Sequence, residues 1–323
     1  MTDTRTEIAD EEAVVVTQAD VYDALLARLS QQSVVRHFDA YGDVAWDSPE
    51  LALDPADPLW ELPEDDPLGA TAWYRALPQP QRARLGLDLV ASKMKIGLEF
   101  ERVLKKGLLE FAETLPNGSP EFRYAYHELI EEAQHSLMFQ EFVNRSGFDA
   151  AGLARLDKLG ARFVATLGRR FPPLFFAFVL GGEDPIDYVQ RQELRSGNPI
   201  HPLLERIMRI HVTEEARHLS FARHYLKRQV PTLGPARRGV LAIGGPLVLA
   251  GMAQMMLRPS PQIVRRHQIP AEVVAEAYTH NAAHHSEALA SMAKLRRLWV
   301  ELGLAGPVYR RFWRVLGLWP AAV

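Results

Sequence analysis

Residues 128–135 read ELIEEAQH, and residues 211–218 read HVTEEARH. Each stretch contains Glu-Glu-x-x-His within a segment whose apolar residues recur at helical spacing. On an α-helix, residues three apart are separated by about 60° around the axis, so both side chains can reach one ion. A single Glu-x-x-His is usually a solvated pair. Two copies of the longer pattern predict a metal site built between helices.

The segments around the two copies predict an all-α fold. Pro- and Gly-rich turns separate the two helices that flank residues 115–120 and the two that flank residues 196–199. Amphipathic helices are expected at about 81–113, 120–144, 172–195 and 202–228, with a helical crossover at 149–170. This order predicts a ferritin-like four-helix bundle with one long crossover. Additional flanking helices are expected at 240–257, 270–302 and 306–318.

The length of 323 residues exceeds the usual size of one domain but allows one large helical domain with appended segments. Residues 1–36 are expected to form an N-terminal segment that is partly disordered, with a short helix at 20–29 after a frayed start. Residues 37–232 are expected to hold the bundle, which an extended Asp-, Pro- and Trp-rich segment at 39–68 wraps. Residues 233–323 are expected to add helices that pack on the same domain.

A two-ion site in such a bundle needs one more carboxylate from the helix that precedes each motif. On the first helix Glu101 interrupts an apolar stripe, whereas Glu99 lies on a polar face and is expected to be solvated. On the third helix Glu183 stands within an apolar run. The midpoint between Glu101 and Glu132 falls inside the first predicted turn, and that between Glu183 and Glu215 inside the second. Because residues equidistant from a turn lie level in an antiparallel pair, the four carboxylates are expected at one height.

The four carboxylates predict the type of metal. Burying them costs several kcal/mol each even after relaxation, whereas two divalent ions would formally neutralise all four. Carboxylate-rich sites with one imidazole per ion suit iron, with manganese as a substitute, better than zinc. Glu131 and Glu214 are candidate acceptors for ligating imidazoles, and Arg217 could balance their charge. The alternative is a set of surface ion pairs on amphipathic helices.

Two further features lie beside these carboxylates. His211 lies four residues before Glu215 and seven before His218, so the three share one stripe of the helix. It is either a third imidazole ligand or a core histidine bonded to a backbone carbonyl. Pro185, together with Gly181-Gly182, predicts a kink or bulge in the third helix.

Composition and charge exclude several other classes of protein. The formal net charge is −3, so no global basic field favours nucleic acid. The absence of cysteine excludes disulfides, thiolate metal sites and iron–sulfur ligation. The start of the sequence lacks the features of a secretory signal, which predicts a cytoplasmic location. Residues 239–257 are uncharged but interrupted at Gly244-Gly245-Pro246, so a buried core or subunit-interface helix is favoured over membrane contact.

The two motifs and their surroundings resemble the p-aminobenzoate N-oxygenase (AurF-like) family of non-haem diiron oxygenases. The resemblance is carried by residues 123–135 (RYAYHELIEEAQH) and 209–218 (RIHVTEEARH), and it extends from about residue 37 to 230. Members of this family oxidise arylamines to hydroxylamine or nitro products at a diiron centre held by four glutamates and three histidines. The ligands that the resemblance implies here are Glu101, Glu132, His135, Glu183, His211, Glu215 and His218.

The resemblance implies an enzyme, a non-haem diiron monooxygenase that activates O2 to N-oxygenate a small (aryl)amine. Its partners would be the substrate, O2, an external electron donor of the ferredoxin or reductase type, and a second subunit in a homodimer. No cationic side chain for an aryl carboxylate is evident near Glu101, where Ile96 and Gly97 take the adjacent inward positions. The alternatives are an acyl desaturase or C–H hydroxylase on the same scaffold, and non-catalytic ferritin-like iron oxidation or storage.

Overall fold

The computed structural model of the protein describes residues 18–321, and these contain thirteen α-helices and no β-strand. The all-α prediction is confirmed for this part of the chain, and the expectation for residues 1–17 lies outside it. The helices are α1 (Gln18–Val35), α2 (Ala72–Arg75), α3 (Gln79–Ala112), α4 (Pro120–Ser146), α5 (Arg155–Arg170), α6 (Pro172–Glu193), α7 (Pro202–Gln229), α8 (Pro235–Met256), α9 (Pro261–Arg266), α10 (Ala271–Val274), α11 (Ala282–Ser291), α12 (Ala293–Glu301) and α13 (Pro307–Val315).

The centre of the fold is a bundle of four long helices in which α3 packs along α4 and α6 packs along α7. Both helix pairs are joined by the short turns that the sequence predicts, and α5 is the long crossover between them. The boundaries have local causes. Ser119 accepts a hydrogen bond from the Phe122 amide at the start of α4, and Gly147 ends the helix with a left-handed φ of 65°. The predicted four-helix bundle with one long crossover is confirmed.

The N-terminal wrap, residues 36–71, is held against α4 and α7 by side chains at both of its ends. Arg145 of α4 donates to the carbonyl oxygen of Trp46 at 2.7 Å. The ring of Trp60 stacks on His201, at the start of α7, with 4.3 Å between the centroids. Ahead of the wrap, α1 is longer than the predicted helix at 20–29 and buries Tyr22 and Leu26 in the core.

The prediction that Gly244-Gly245-Pro246 would interrupt the uncharged segment is wrong, because α8 continues through all three residues. Gly245 is needed for packing, since a Cβ at this position would overlap the ring of Trp299. One side of α8 buries Leu241 and Leu249 in the core. Among residues 18–321, none of the helices has the length and apolar character that crossing a membrane requires.

Glycines set how closely the central helices approach one another. A Cβ at Gly168 of α5 would overlap the backbone carbonyl of Gly107 of α3, so the two helices cross in backbone contact. A Cβ at Gly182 of α6 would overlap the ring of Phe100 of α3. The predicted bulge of the third helix is not seen, because α6 is α-helical throughout, including Pro185. Gly182 is therefore explained by close packing of α6 on α3.

Candidate metal centre

Buried carboxylates and imidazoles from all four central helices meet inside the bundle. The ligand atoms of one group, Glu101, His135, His211 and Glu215, all lie within 4.8 Å of one another. A second group, formed on the same criterion, consists of Glu132, Glu215 and His218. Glu215 belongs to both groups, so its carboxylate stands between two potential ion positions. These six side chains, together with Glu183, are called the cluster below.

His135 and His218 both turn Nδ1 towards the carboxylates. The Nδ1 atom of His135 lies 3.2 Å from Glu132 Oε2 and 3.5 Å from Glu215 Oε1. The Nδ1 atom of His218 lies 3.0 Å from Glu132 Oε1 and 3.2 Å from Glu215 Oε1. Both imidazoles therefore offer the same ring nitrogen to the space between Glu132 and Glu215.

The Nε2 atoms of His135 and His218 donate to carboxylates outside the cluster, and each histidine pairs with a glutamate of the other motif. His135 Nε2 of α4 donates to Glu214 Oε2 of α7 at 2.9 Å. His218 Nε2 of α7 donates to Glu131 Oε2 of α4 at 2.7 Å. Arg217 links the two acceptors, since its guanidinium lies 2.8 Å from Glu131 and 3.5 Å from Glu214. Because each Nε2 carries the hydrogen, each Nδ1 is free to bind a metal ion.

His211 points into the cluster with the other ring nitrogen. Its Nε2 atom lies 3.7 Å from Glu215 Oε1 and 3.9 Å from a carboxylate oxygen of both Glu101 and Glu183. Its Nδ1 atom lies 2.9 Å from the side-chain oxygen of Gln190. An amide oxygen only accepts, so Nδ1 carries the hydrogen and Nε2 keeps its lone pair for the cluster. The alternative of a core histidine bonded to a backbone carbonyl does not describe this geometry.

Glu183 lies at the edge of the cluster rather than within either tight group of ligand atoms. Its Oε2 atom is 3.9 Å from His211 Nε2, and neither oxygen has a hydrogen-bond partner among the described residues. One oxygen of Glu101 and one of Glu215 are buried and unpartnered in the same way. Leaving such atoms without any partner is costly in a protein interior. The donor set therefore fits divalent cations that would satisfy these oxygens.

The pKa values of the cluster carboxylates show that burial opposes their negative charge. Burial raises the pKa of Glu101 and of Glu183 well above the usual range, and neighbouring glutamates raise both further. Burial also raises the pKa of Glu215. Burial acts in the same direction on Glu132, but hydrogen bonds and charges from Glu101, His218 and His135 hold its pKa well below the usual range. The cluster therefore needs protons or metal ions for charge balance.

The three imidazoles differ in their electrostatic surroundings. Burial opposes the charged form of His135, yet hydrogen bonds to Glu132 and Glu214 raise its pKa to about 10. Burial likewise opposes charge on His218, whose pKa is raised well above its usual value by nearby carboxylates, Glu215 first. Burial and the neighbouring His135 hold the pKa of His211 well below its usual value. His211 is the one imidazole of the three whose outer nitrogen faces a neutral amide.

Some residues near the centre were not predicted. Glu99 was expected to be solvated, which is wrong, because it is buried and pairs with Arg102 at 2.9 Å. Lys105 of α3 donates to the carbonyl oxygen of Glu132 at 3.0 Å, and burial lowers its pKa. Its position four residues after Glu101 is a signal that could have revealed it. Gln190 has no comparable signal, since it lies 21 residues from His211.

Two cavities of the protein lie apart from the cluster. One of about 610 Å³ opens between α1 and the start of α4, where Phe122, Tyr126 and His127 line it. The other, of about 410 Å³, lies between α3 and α9 and includes Arg84 and Arg266. No residue of the cluster lines either cavity.

Glutamates and histidines that two antiparallel helix pairs bring together define a dinuclear carboxylate centre in a helical bundle. This class includes oxygen-activating enzymes and iron-storage proteins. The chain belongs to the p-aminobenzoate N-oxygenase AurF family, which matches residues 19–303. The family is ferritin-like and diiron, and its members are oxygenases that use O2 and an organic substrate. The match extends in both directions beyond residues 37–230, where the resemblance was seen.

Three curated relatives are similar to the chain over most of its length. An uncharacterized protein of Mycobacterium tuberculosis (strain CDC 1551 / Oshkosh) is 40% identical over 294 residues, which cover 91% of this chain and 86% of the relative. Uncharacterized proteins of Mycobacterium bovis and of Mycobacterium tuberculosis (strain H37Rv) match with the same identity and coverage. No solved structure matches the chain.

Proposed function

We propose that the protein holds two iron ions per chain and uses them to N-oxygenate a small arylamine. The observation that carries the proposal is the pair of donor groups that share Glu215, because a shared carboxylate can bridge two ions. Membership of the family supports the same chemistry. Manganese is the proposed substitute metal. The proposed ligands are Glu101, Glu132, His135, Glu183, His211, Glu215 and His218.

The proposed reaction is a monooxygenation. Bound iron would supply the redox chemistry that activates O2. One oxygen atom forms a new N–O bond in the hydroxylamine product and the other leaves as water, with uptake of two protons and two electrons. The sequence has no cysteine to hold an iron–sulfur cluster, so we propose a separate electron donor of the ferredoxin or reductase type.

The protein around the cluster orients the imidazoles and keeps water away from them. Glu131 and Glu214 fix the ring orientation of His218 and His135 through their hydrogen bonds. Phe139 of α4 covers one side, with its ring centroid 5.4 Å from that of His211. An apolar wall of this kind favours a substrate with an apolar body over a charged one.

The substrate is proposed to be an arylamine without a carboxylate. Of the lysines on α3 near Glu101, Lys93 is exposed and Lys95 donates to Gln140 at 2.9 Å. Lys105 is engaged by the carbonyl oxygen of Glu132. None of these three ammonium groups is therefore positioned to hold an aryl carboxylate beside the cluster.

We propose that residues 37–232 form the oxygenase domain, that 1–36 is an N-terminal segment, and that the helices of 233–323 belong to the same domain. A homodimer is proposed because α8 exposes three apolar side chains at helical spacing, Val240, Ile243 and Leu247. A cytoplasmic location is proposed from the N-terminal sequence.

The function can be tested by incubating the reduced, iron-loaded protein with O2 and a panel of arylamines. We expect N-oxygenated products by mass spectrometry, with neutral anilines converted faster than aminobenzoates. A panel of fatty acyl and aliphatic substrates provides the comparison. Oxidation confined to acyl or aliphatic carbon would contradict the N-oxygenase proposal, and a ratio of iron to protein far above two would favour storage.

The metal assignment is tested separately by replacing one carboxylate in each motif. Glu132→Ala and Glu215→Ala should each lose iron, because Glu215 belongs to both groups of ligand atoms and Glu132 lies 3.2 Å from His135 Nδ1 and 3.0 Å from His218 Nδ1. Iron per chain is measured by elemental analysis, with Glu205→Ala on the exposed face of α7 as the matched control. Two ions per chain in both cluster variants would contradict the proposed centre.

A further inference from the structure

The two motifs place the same Glu-Glu-x-x-His side chains at the same spacing, but they differ in the residue one turn earlier. Residues 131, 132 and 135 of α4 correspond in type to residues 214, 215 and 218 of α7. One turn earlier, α7 carries His211 whereas α4 carries Glu128. Because both lie four residues before the first ligand of their motif, helix geometry brings both to the same stripe as the ligands. Glu128 is therefore the counterpart of a residue whose ring nitrogen reaches the cluster.

Glu128 is completely buried and has no partner for either oxygen. Its exposed fraction is 0%, and neither Oε1 nor Oε2 has a hydrogen bond among the described residues. The hydroxyl of Tyr124, one turn earlier on the same stripe, is also buried without a hydrogen bond, so it does not satisfy Glu128. A buried carboxylate in this condition costs free energy unless a cation or a proton compensates it.

Glu128 lies on the same stripe of α4 as Glu132 and His135, and no cationic side chain of the described residues pairs with it. Burial raises its pKa well above the usual range; the charge of His218 lowers it, and Glu132, Glu215 and Glu131 raise it further. The two nearby cations bind elsewhere. Arg217 is engaged by Glu131 and Glu214, and Lys105 donates to the carbonyl oxygen of Glu132.

We infer that Glu128 is a further metal-binding carboxylate, which approaches the ion beside His218 from α4 as His211 approaches the cluster from α7. This inference rests on the proposed two-ion centre. It explains why this chain carries a glutamate in a position where a neutral side chain of similar volume would avoid the cost of burial. With five carboxylates, the centre would carry more negative charge than two divalent ions neutralise, and would therefore favour the more oxidised metal.

The test is an anaerobic titration with Co²⁺, which reports occupancy and coordination without turnover. Wild type should bind two ions per chain. Glu128→Gln, which keeps the volume, should bind one ion as wild type does and the other on the order of 10–100-fold more weakly. The visible absorption of bound Co²⁺ should change as well, because it depends on the ligands. Glu141→Gln, the same change on α4 outside the cluster, should behave as wild type.

The results of the titration distinguish a failure of the Glu128 inference from a failure of the proposed two-ion centre. Two ions bound by Glu128→Gln with wild-type affinity and spectrum would show a protonated core glutamate and overturn the inference alone. Fewer than two ions bound by wild type would overturn the proposed centre and the inference with it. If Glu128→Gln does not fold, Glu128→Asp replaces it. A ligand shortened by one methylene should weaken one ion, whereas an unchanged titration would again exclude Glu128 as a ligand.

Discussion

The imidazoles of His135 and His218, both proposed ligands, each donate to a carboxylate that belongs to the other motif. Glu131 accepts from His218, and Glu214 accepts from His135, so neither motif is complete on its own helix. Arg217 lies beside both acceptors and offsets part of their negative charge. The orientation of His135 on α4 therefore depends on the position of α7, and the orientation of His218 on α7 depends on the position of α4. The reason is that each of these hydrogen bonds joins the two helices. Metal affinity should therefore be sensitive to residues that touch no ion.

A single substitution tests this dependence. Glu214→Gln replaces the carboxylate that accepts a hydrogen bond from His135 by an amide of the same shape. Because the amide carries no negative charge, the Nδ1 atom of His135 becomes a weaker electron-pair donor to a metal ion. We expect the affinity for one of two Fe²⁺ ions to fall about 10–100-fold, measured by anaerobic titration. Glu205→Gln on the exposed face of α7 is the matched control. Equal affinities in the two variants would show that the Glu214 hydrogen bond does not tune the site.

The residues that the sequence could predict are those whose signal is local. The seven candidate ligands share helical spacing and symmetric distances from the turns, and the structure brings six of them into two groups with Glu183 at the edge. Gln190 and the burial of Glu99 depend on neighbours from other segments. Gly152, far along the chain, packs against Glu99 and covers it, which no periodicity within α3 encodes.

At the scale of helices, the sequence predicted the long elements well and their defects poorly. The bounds of α3, α4, α6 and α7 lie within a few residues of those expected, because Pro at their starts and polar turns at their ends are local signals. Glycine and proline predict a kink or bulge in α6 and a break in α8, although both helices are continuous there. Those glycines serve close contacts with Phe100 and Trp299, which only the packed structure reveals.

The crossing of α3 and α5 provides a prediction about stability. Gly168→Ala would force a Cβ into the backbone carbonyl of Gly107, so the helices must separate. We expect a loss of about 1–3 kcal/mol or more in the free energy of unfolding, measured by denaturant titration. Gly160→Ala on the same helix meets nothing within 4 Å and should be neutral or stabilising by up to about 1 kcal/mol. Equal stability of the two variants would contradict the backbone contact.

At the scale of the whole molecule, the buried cluster makes metal content and stability interdependent. Burial raises the pKa of Glu101, Glu183 and Glu215, so the metal-free protein must take up protons or leave charge uncompensated. Ions that bind only the folded chain shift the unfolding equilibrium by mass action. The family match over residues 19–303 includes α1 and the helices from α8 to α12, so it extends beyond the residues that carry the two motifs.

Removal of the metal should therefore lower the melting temperature. At free Fe²⁺ about 100-fold above its dissociation constant, binding contributes about 2.7 kcal/mol per site. A chelator should then lower Tm by roughly 5–10 °C for a chain of this size, measured by anaerobic calorimetry. The variant with both Glu132→Ala and Glu215→Ala should melt at the same temperature with and without chelator. An unchanged Tm in wild type would mean that the ions do not stabilise the fold.

The hydrogen bond from the Phe38 amide to Glu214 joins residues 176 positions apart at 3.2 Å, and it has a consequence for protein synthesis. During translation Phe38 leaves the ribosome long before its acceptor exists, with a delay of roughly 10–35 s at ordinary elongation rates. The contacts between the wrap and α7 therefore cannot form until α7 has emerged. Trp60, which stacks on His201 at the start of α7 in the finished fold, lacks this partner throughout that interval. We expect the nascent chain to be most vulnerable to aggregation while the second half of the proposed metal centre is still being translated.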